Sequence, residues 1–230
     1  MPNSKTKINS GKDTSDIRHK TIRVKSAKRR KISSTRWLKR QLNDPYVREA
    51  RIRGYRSRAA IKLIQLDDKF NFLRKGHRVI DLGAAPGGWT QVAVERCTGG
   101  KIIGVDILDM EIVAGACILS GDFLSEAFRE EVKKNLDEKA NVVLTDMAAS
   151  SSGHPSTDHL RIITMLESAI DFAIDILAKR GTFVGKVLQG GTENKLLSVL
   201  KNNFSTVHHY KPPASRKESS EMYVVAKNFK

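Results

Sequence analysis

The chain has 230 residues, of which 40% are hydrophobic, and this size and composition suit one α/β domain with a full core. The sequence contains no apolar run of about 18 residues, so it predicts no membrane span, and it begins without the apolar stretch of a secretory signal. Cys97 and Cys117 lack C-x-x-C spacing, which predicts two reduced thiols in a cytoplasmic protein.

The formal net charge of +16 is concentrated near the N-terminus. Residues 1–34 contain 11 Lys or Arg and 2 Asp or Glu, residues 35–60 contain 8 and 2, and the remaining 170 residues contain 22 and 21. A nearly neutral domain behind a basic segment is typical of nucleic-acid-binding proteins. Residues 1–34, which lack Leu, Phe, Trp and Tyr, are expected to be a disordered arm, and residues 35–230 the folded domain. A solubilising or targeting role for the arm is the alternative.

Aromatic side chains accompany the positive charge between residues 35 and 60. Trp37, Tyr46 and Tyr55 lie among eight Lys and Arg residues. Such a mixture can stack bases and bind phosphates, so this segment is predicted to contact RNA.

An amphipathic helix is predicted directly after this segment. Its apolar positions recur from Ala60 to Leu66, and Ser57 precedes them as the expected N-cap. Lys62 lies inside the apolar run, where either a solvated lysine or a functional one fits the pattern.

The stretch from Val79 to Thr90 reads V-I-D-L-G-A-A-P-G-G-W-T. A short apolar run, a glycine-rich loop and a following helix predict a site for an adenosine-type ligand at the edge of a parallel sheet. A P-loop is excluded because Trp89-Thr90 stands where Lys-Ser/Thr is required. The dinucleotide fingerprint fails because residue 85 is Ala rather than Gly.

The rest of the chain alternates between buried strands and helices. This alternation predicts a mostly parallel sheet with helices on both faces. The long helix is expected to end at Arg180-Gly181, with the glycine as its C-terminal cap. Further strands are predicted at 102–105, 112–119, 141–145, 182–188, 206–210 and 222–226, and helices at 124–137, 158–179 and 193–201.

Several of these strands end at polar residues, where open α/β sheets bind their ligands. Asp106 follows Gly87 by 19 residues, a spacing typical of an acid that binds a ribose. Asp122 is placed either to bind an adenine amino group or to cap the helix that follows. Asp146 ends another strand, and Lys186 lies inside a central strand, where a lysine is unusual unless it faces a functional cleft.

The pattern D-L-G-x-x-P-G-G-W resembles the nucleotide loop of the FtsJ/RrmJ family of RNA ribose 2'-O-methyltransferases. The resemblance extends from about Ser33 to Lys227. It implies a Rossmann-like S-adenosylmethionine-dependent methyltransferase fold with a mostly parallel seven-stranded sheet, and no metal. It also implies two sets of site residues. The catalytic tetrad would be Lys62, Asp146, Lys186 and Glu221, and the cofactor contacts would be Gly87, Trp89, Asp106, Asp122 and Asp146.

The basic S-S-x-R-W-L segment is similar to that of the bacterial branch, which implies methylation of a uridine ribose in large-subunit ribosomal RNA by a monomer. Two departures lie near the expected RNA face. Ala149-Ser150 stands where the branch usually has Pro-Asn, and Ala60-Ile61 replaces an aromatic pair. Whether Lys186 is a general base or an electrostatic positioner is open at this stage.

Three alternatives remain. Transfer RNA or a messenger cap would replace ribosomal RNA as the substrate of the same reaction. A nicotinamide-dependent oxidoreductase would account for the loop and Asp106, but not for Lys186 or the basic arm. A non-catalytic RNA-binding or ribosome-assembly protein would account for the charge alone.

Overall fold

A computed structural model describes residues 31–147, 155–188 and 194–230. The chain divides into two compact units, Met1–Asp44 and Pro45–Lys230. Of the predicted N-terminal arm, only residues 31–34 are described, and the first helix already begins there. That helix is α1, Ile32–Asn43, and it exposes half of the Trp37 side chain.

The second unit is built on a seven-stranded sheet, as the sequence predicts. The strands are β1 Val79–Leu82, β2 Ile102–Asp106, β3 Ala116–Ser120, β4 Ala140–Thr145, β5 Leu177–Leu188, β6 Phe204–Tyr210 and β7 Glu221–Phe229. Their order in the sheet is β3-β2-β1-β4-β5-β7-β6, with β1 to β5 parallel and β7 antiparallel to both neighbours.

Helices cover both faces of this sheet, and the central parallel strands are therefore buried on both sides. The helices after α1 are α2 Pro45–Ile52, α3 Ala59–Phe70, α4 Gly88–Arg96, α5 Glu126–Leu136, α6 Pro155–Ile176 and α7 Asn194–Asn203. One core lies between the sheet and α5, α6 and α7, and the other between the sheet and α2, α3 and α4. The predicted fold class is therefore confirmed.

Three local predictions are wrong. Arg58 occupies the N-cap position of α3, and the Ser57 hydroxyl makes no capping bond. The long helix ends at Ile176 rather than at Arg180-Gly181, because Leu177 already pairs with Ala140 of β4. The third strand begins at Ala116 rather than residue 112, because the preceding segment is a loop.

Candidate active site

Four polar side chains predicted from separate parts of the sequence converge at one edge of the sheet. Lys62 comes from the first turn of α3, and Asp146 follows the last residue of β4. Lys186 lies in β5, and Glu221 begins β7, the strand that pairs with it. The two lysines are almost completely buried, with side-chain exposures of 7% for Lys62 and 6% for Lys186.

These side chains form two ion pairs. The Lys62 Nζ atom lies 3.1 Å from Glu221 Oε2. The Lys186 Nζ atom lies 3.3 Å from Asp146 Oδ1 and donates a 2.6 Å hydrogen bond to the Asp146 backbone carbonyl. Each buried cation therefore has its own carboxylate, which offsets the cost of removing the charge from water.

Tyr223 links the two ion pairs, a role that the sequence pattern did not predict. Its hydroxyl donates a 2.7 Å hydrogen bond to Asp146 Oδ1 and accepts a 3.1 Å bond from Lys62 Nζ. The result is a continuous chain of contacts from Glu221 through Tyr223 to Lys186. The signal was the two-residue period of β7, which puts Tyr223 on the same face as Glu221.

Burial also fixes the protonation state of this tyrosine. Loss of solvent, reinforced by the charge of Asp146, raises the pKa of Tyr223 well above its ordinary value of 10.0. The hydroxyl consequently keeps its proton at neutral pH and remains a donor to Asp146. Its ring also lies 5.6 Å from Lys62 Nζ, so the lysine is held by both the hydroxyl and the aromatic face.

The glycine-rich loop lies beside this cluster, between β1 and α4. Gly87 has φ +105°, which a side-chain-bearing residue rarely adopts. A Cβ atom at Gly88 would lie 2.4 Å from Ser57 Oγ, so only glycine permits this close approach. On the outer side of the loop, a cavity of about 570 Å³ is lined by Arg56, Ala85-Pro86 and the segment 108–111. A cavity of this size beside a glycine loop and a helix N-terminus fits an adenosine-type cofactor.

Two of the three acids predicted to bind the cofactor, Asp106 and Asp122, lie at or just beyond the ends of the strands that follow the loop. Asp106 accepts hydrogen bonds from the backbone amides of Ala85 and Leu108, at 2.9 Å each. It therefore joins the glycine loop to the segment beyond β2. Asp122 accepts a 2.9 Å bond from Leu124 and is not a helix cap, since α5 begins at Glu126 with Ser125 as its N-cap. Their contacts with a cofactor stay predictions.

Trp89 lies in α4 and is buried in the protein, whereas the acids lie at or near strand ends. Its side chain is buried, its Nε1 donates a 2.8 Å bond to the Ala59 carbonyl, and its ring lies 5.7 Å from that of Tyr223. These contacts hold α4 against α3 and β7. The assignment of Trp89 to the cofactor also stays a prediction, and the described contacts of its indole are with the protein.

Asp81 is the most deeply buried carboxyl of the glycine loop region. Burial, together with the charges of Asp146 and Asp106, raises its pKa from 3.8 to about 7, although the Thr90 hydroxyl donates a 2.7 Å bond to it. The bond joins the end of β1 to the first turn of α4. The group therefore titrates near neutral pH rather than in acid.

Within the described residues, no group of three or more His, Cys, Asp or Glu side chains is arranged to hold a metal ion. In the same ranges, no helix has the length and apolar character needed to cross a membrane. The predicted departure at Ala149-Ser150 lies outside the described residues.

Comparisons with known proteins point to one family. The sequence profile of the FtsJ-like methyltransferase family matches residues 55–229. The chain is 59% identical to a ribosomal RNA large subunit methyltransferase E of Paramagnetospirillum magneticum, over 93% of this chain and 90% of the relative. It is 54% identical to the protein of the same name from Parvibaculum lavamentivorans, over 100% and 96%.

A solved structure is also similar. It comes from Plasmodium falciparum and is described as a ribosomal RNA methyltransferase. The two structures superpose with a TM-score of 0.68 at 34% identity, over 76% of this chain and 98% of the other. The similarity in sequence and the similarity in fold therefore agree.

Proposed function

Because the chain belongs to the FtsJ-like methyltransferase family and uses S-adenosylmethionine as its cofactor, we propose that it methylates the 2'-hydroxyl of a uridine ribose in large-subunit ribosomal RNA. The relatives that match almost the whole chain carry large-subunit ribosomal RNA in their name. The observation that carries the proposal is the buried Lys62–Glu221 and Lys186–Asp146 network beside the glycine loop.

The cofactor supplies an activated methyl group, so the protein has to position the two reactants and manage one proton. We assign cofactor binding to the glycine loop at Gly87 and Trp89 and to the acids Asp106, Asp122 and Asp146. The support is that the three acids lie at or just beyond the carboxyl ends of β2, β3 and β4. Gly87 and Trp89 follow Ala85-Pro86, which line the 570 Å³ cavity.

We assign the ribose hydroxyl to Lys186. Among the described residues its Nζ atom contacts Asp146 twice, and an ammonium group carries three donors, so these contacts leave one N–H for the ribose oxygen. An ion-paired lysine that also donates to a carbonyl favours the role of electrostatic positioner over that of general base. Lys62 and Glu221 then hold Tyr223 and Asp146 in the geometry that Lys186 requires.

The RNA itself is proposed to bind through the basic N-terminal part of the chain. Residues 1–60 carry 19 Lys or Arg against 4 Asp or Glu, whereas the catalytic part is close to neutral. Lysine and arginine at phosphates supply affinity without sequence selection. We further propose that the protein acts in the cytoplasm, because that compartment holds the large ribosomal subunit of bacteria. We also propose that it acts as a monomer.

The alternatives differ in how well they fit. Membership of the methyltransferase family argues against two of them, a nicotinamide-dependent oxidoreductase and a non-catalytic RNA-binding protein. Transfer RNA and a messenger cap remain competing substrates for the same chemistry, and they are distinguished by experiment.

The test is methyl transfer with purified protein and labelled S-adenosylmethionine. Undermethylated large ribosomal subunits, bulk transfer RNA and capped messenger RNA are compared under the same conditions, with a Lys186→Ala variant as the blank. We expect label in large-subunit RNA at a ribose 2'-oxygen. Label confined to transfer RNA or to the cap would replace the proposed substrate.

A further inference from the structure

The Arg56 side chain joins two loops that flank the cavity beside the glycine loop. Its Nη1 atom donates to the Pro86 carbonyl at 3.1 Å and to the Glu111 carbonyl at 2.7 Å. Its Nη2 atom donates to the Ile112 carbonyl at 2.8 Å. One guanidinium therefore holds the glycine loop and the segment after β2 together, from a third part of the chain.

The segment after β2 is held only in part by apolar packing. Val113 is buried and Met110 is half-buried against Gly87, but three other large apolar side chains are exposed, at 69% for Ile107, 63% for Leu108 and 82% for Ile112. Burial of these side chains therefore contributes little to its position. Asp106 provides a second attachment through the Leu108 amide, but Asp106 is itself a predicted cofactor ligand. The Ser120 hydroxyl supplies a third attachment through a 3.3 Å bond to Asp109. Arg56 and Asp106 are the described side chains whose hydrogen bonds join this segment to the glycine loop, and of these two only Asp106 is a predicted cofactor ligand.

The Arg56 backbone is itself fixed against α4. Its amide donates a 2.9 Å bond to Gln91 Oε1, and the Gln91 amide group donates to the Gly54 carbonyl. The tyrosine between them, Tyr55, donates a 2.6 Å bond to Glu95. The arginine thus approaches the glycine loop from a turn that α4 holds rigidly. A Cβ atom at Gly87 would lie 2.9 Å from Arg56 Nη1, so the guanidinium packs directly on the loop.

From this geometry we propose that Arg56 is a positioning residue for the cofactor. It keeps the segment 109–112 closed against the glycine loop, so that the cavity has the shape of the adenosine part of S-adenosylmethionine before the cofactor binds. The inference rests on the proposed function in one respect, which is that the ligand of the cavity is S-adenosylmethionine. Because three carbonyl oxygens must be satisfied at once, the planar fork of arginine suits the position and lysine does not.

The experiment compares Arg56→Ala and Arg56→Lys with the matched control Arg78→Ala. Arg78 also donates to a backbone carbonyl, that of Lys139, and pairs with Glu138, but it lies at the opposite end of β1 from the glycine loop. Its side-chain exposure of 29% is close to the 22% of Arg56. Thermal unfolding without cofactor measures the structural effect of each substitution.

Calorimetry with S-adenosylmethionine and steady-state kinetics supply the functional readouts. We expect Arg56→Ala to weaken cofactor binding about tenfold or more, with a raised KM for the cofactor and a kcat within a few-fold at saturation. Arg56→Lys should restore the affinity only in part, and Arg78→Ala should bind as the wild type does. Wild-type affinity in Arg56→Ala, or an equal loss in Arg78→Ala, would overturn the inference. Failure of the wild type to bind the cofactor would instead refute the proposed function.

Discussion

The ion-pair network and the cofactor cavity lie at the same edge of the sheet, but they are built in opposite ways. In the network, Lys62 and Lys186 are buried and each has a carboxylate partner within 3.3 Å. The cavity is bounded by loops whose apolar side chains, such as Leu108, remain exposed. The first region is held by buried ion pairs, and the second largely by hydrogen bonds of Arg56 and Asp106. Chemistry and cofactor binding should therefore respond to different substitutions.

The largest expected effect is on the network side. Replacing Lys186 with alanine removes the proposed contact with the ribose hydroxyl and leaves Asp146 without its cation. We expect single-turnover methyl transfer to fall by about 10²- to 10⁴-fold, the range for loss of a positioned catalytic group, with cofactor affinity within a few-fold of wild type. Lys227→Ala is the control, because Lys227 donates to the Phe70 carbonyl, elsewhere on the sheet. A Lys186→Ala protein with a near-normal rate would remove this residue from the chemistry.

Asp81 on the cavity side predicts an effect on stability. Its pKa of about 7 in the folded protein lies above the ordinary value of 3.8, so between these values the folded state binds the proton more tightly than the unfolded state. Its stabilising contribution is therefore complete below about pH 4 and is lost as the pH rises to about 7. The loss is on the order of 4 kcal/mol in the free energy of unfolding, because each pKa unit corresponds to about 1.4 kcal/mol.

Urea unfolding of the wild type and Asp81→Asn over this pH range measures the difference directly. The wild type should lose stability relative to the variant as the pH rises. A constant difference between the two proteins would show that Asp81 titrates at the same pH in both states.

Tyr223→Phe breaks the link between the two ion pairs while it preserves the packing of the ring on Trp89. Asp146 loses one donor and Lys62 loses one acceptor. Loss of a hydrogen bond to a charged group corresponds to about a 10- to 100-fold decrease in the rate of methyl transfer. The measurement is the single-turnover rate, with cofactor affinity as the control. A rate within twofold of wild type would mean that the two ion pairs act independently.

The smallest expected effect tests whether the basic arm is separate from both regions. Deleting residues 1–31 removes 11 Lys or Arg and 2 Asp or Glu but leaves α1 complete. We expect RNA binding to weaken roughly tenfold at moderate salt, with a shallower dependence of log affinity on log salt. Cofactor affinity should be unchanged. An unchanged salt dependence would favour a targeting or solubilising role for the arm.

The two regions also differ in how far the sequence predicts them. Lys186 was visible because a lysine inside a central strand of a parallel sheet is rare without a function. Asp106 was visible through its spacing from Gly87. Tyr223 was missed because its bonds to Lys62 and Asp146 join elements that are distant in sequence. The two-residue period of β7 indicates only that Tyr223 shares a face with Glu221.

Arg56 could not be predicted for a different reason. Its three acceptors are backbone carbonyls, which every residue possesses, and two of them lie more than 50 residues away in sequence. The Ser57 cap failed because the close approach to Gly88 places its hydroxyl against the glycine loop. Patterns of residue type thus predict strands and charged sites, whereas contacts between loops require the fold.

The most direct test of the central claim is a map of ribose 2'-O-methylation in total RNA from a strain that lacks this protein. The account predicts the loss of methylation at one uridine of large-subunit ribosomal RNA, restored by the wild-type chain and not by Lys186→Ala. Large-subunit RNA that keeps every 2'-O-methyl group, or a loss confined to transfer RNA, would contradict it.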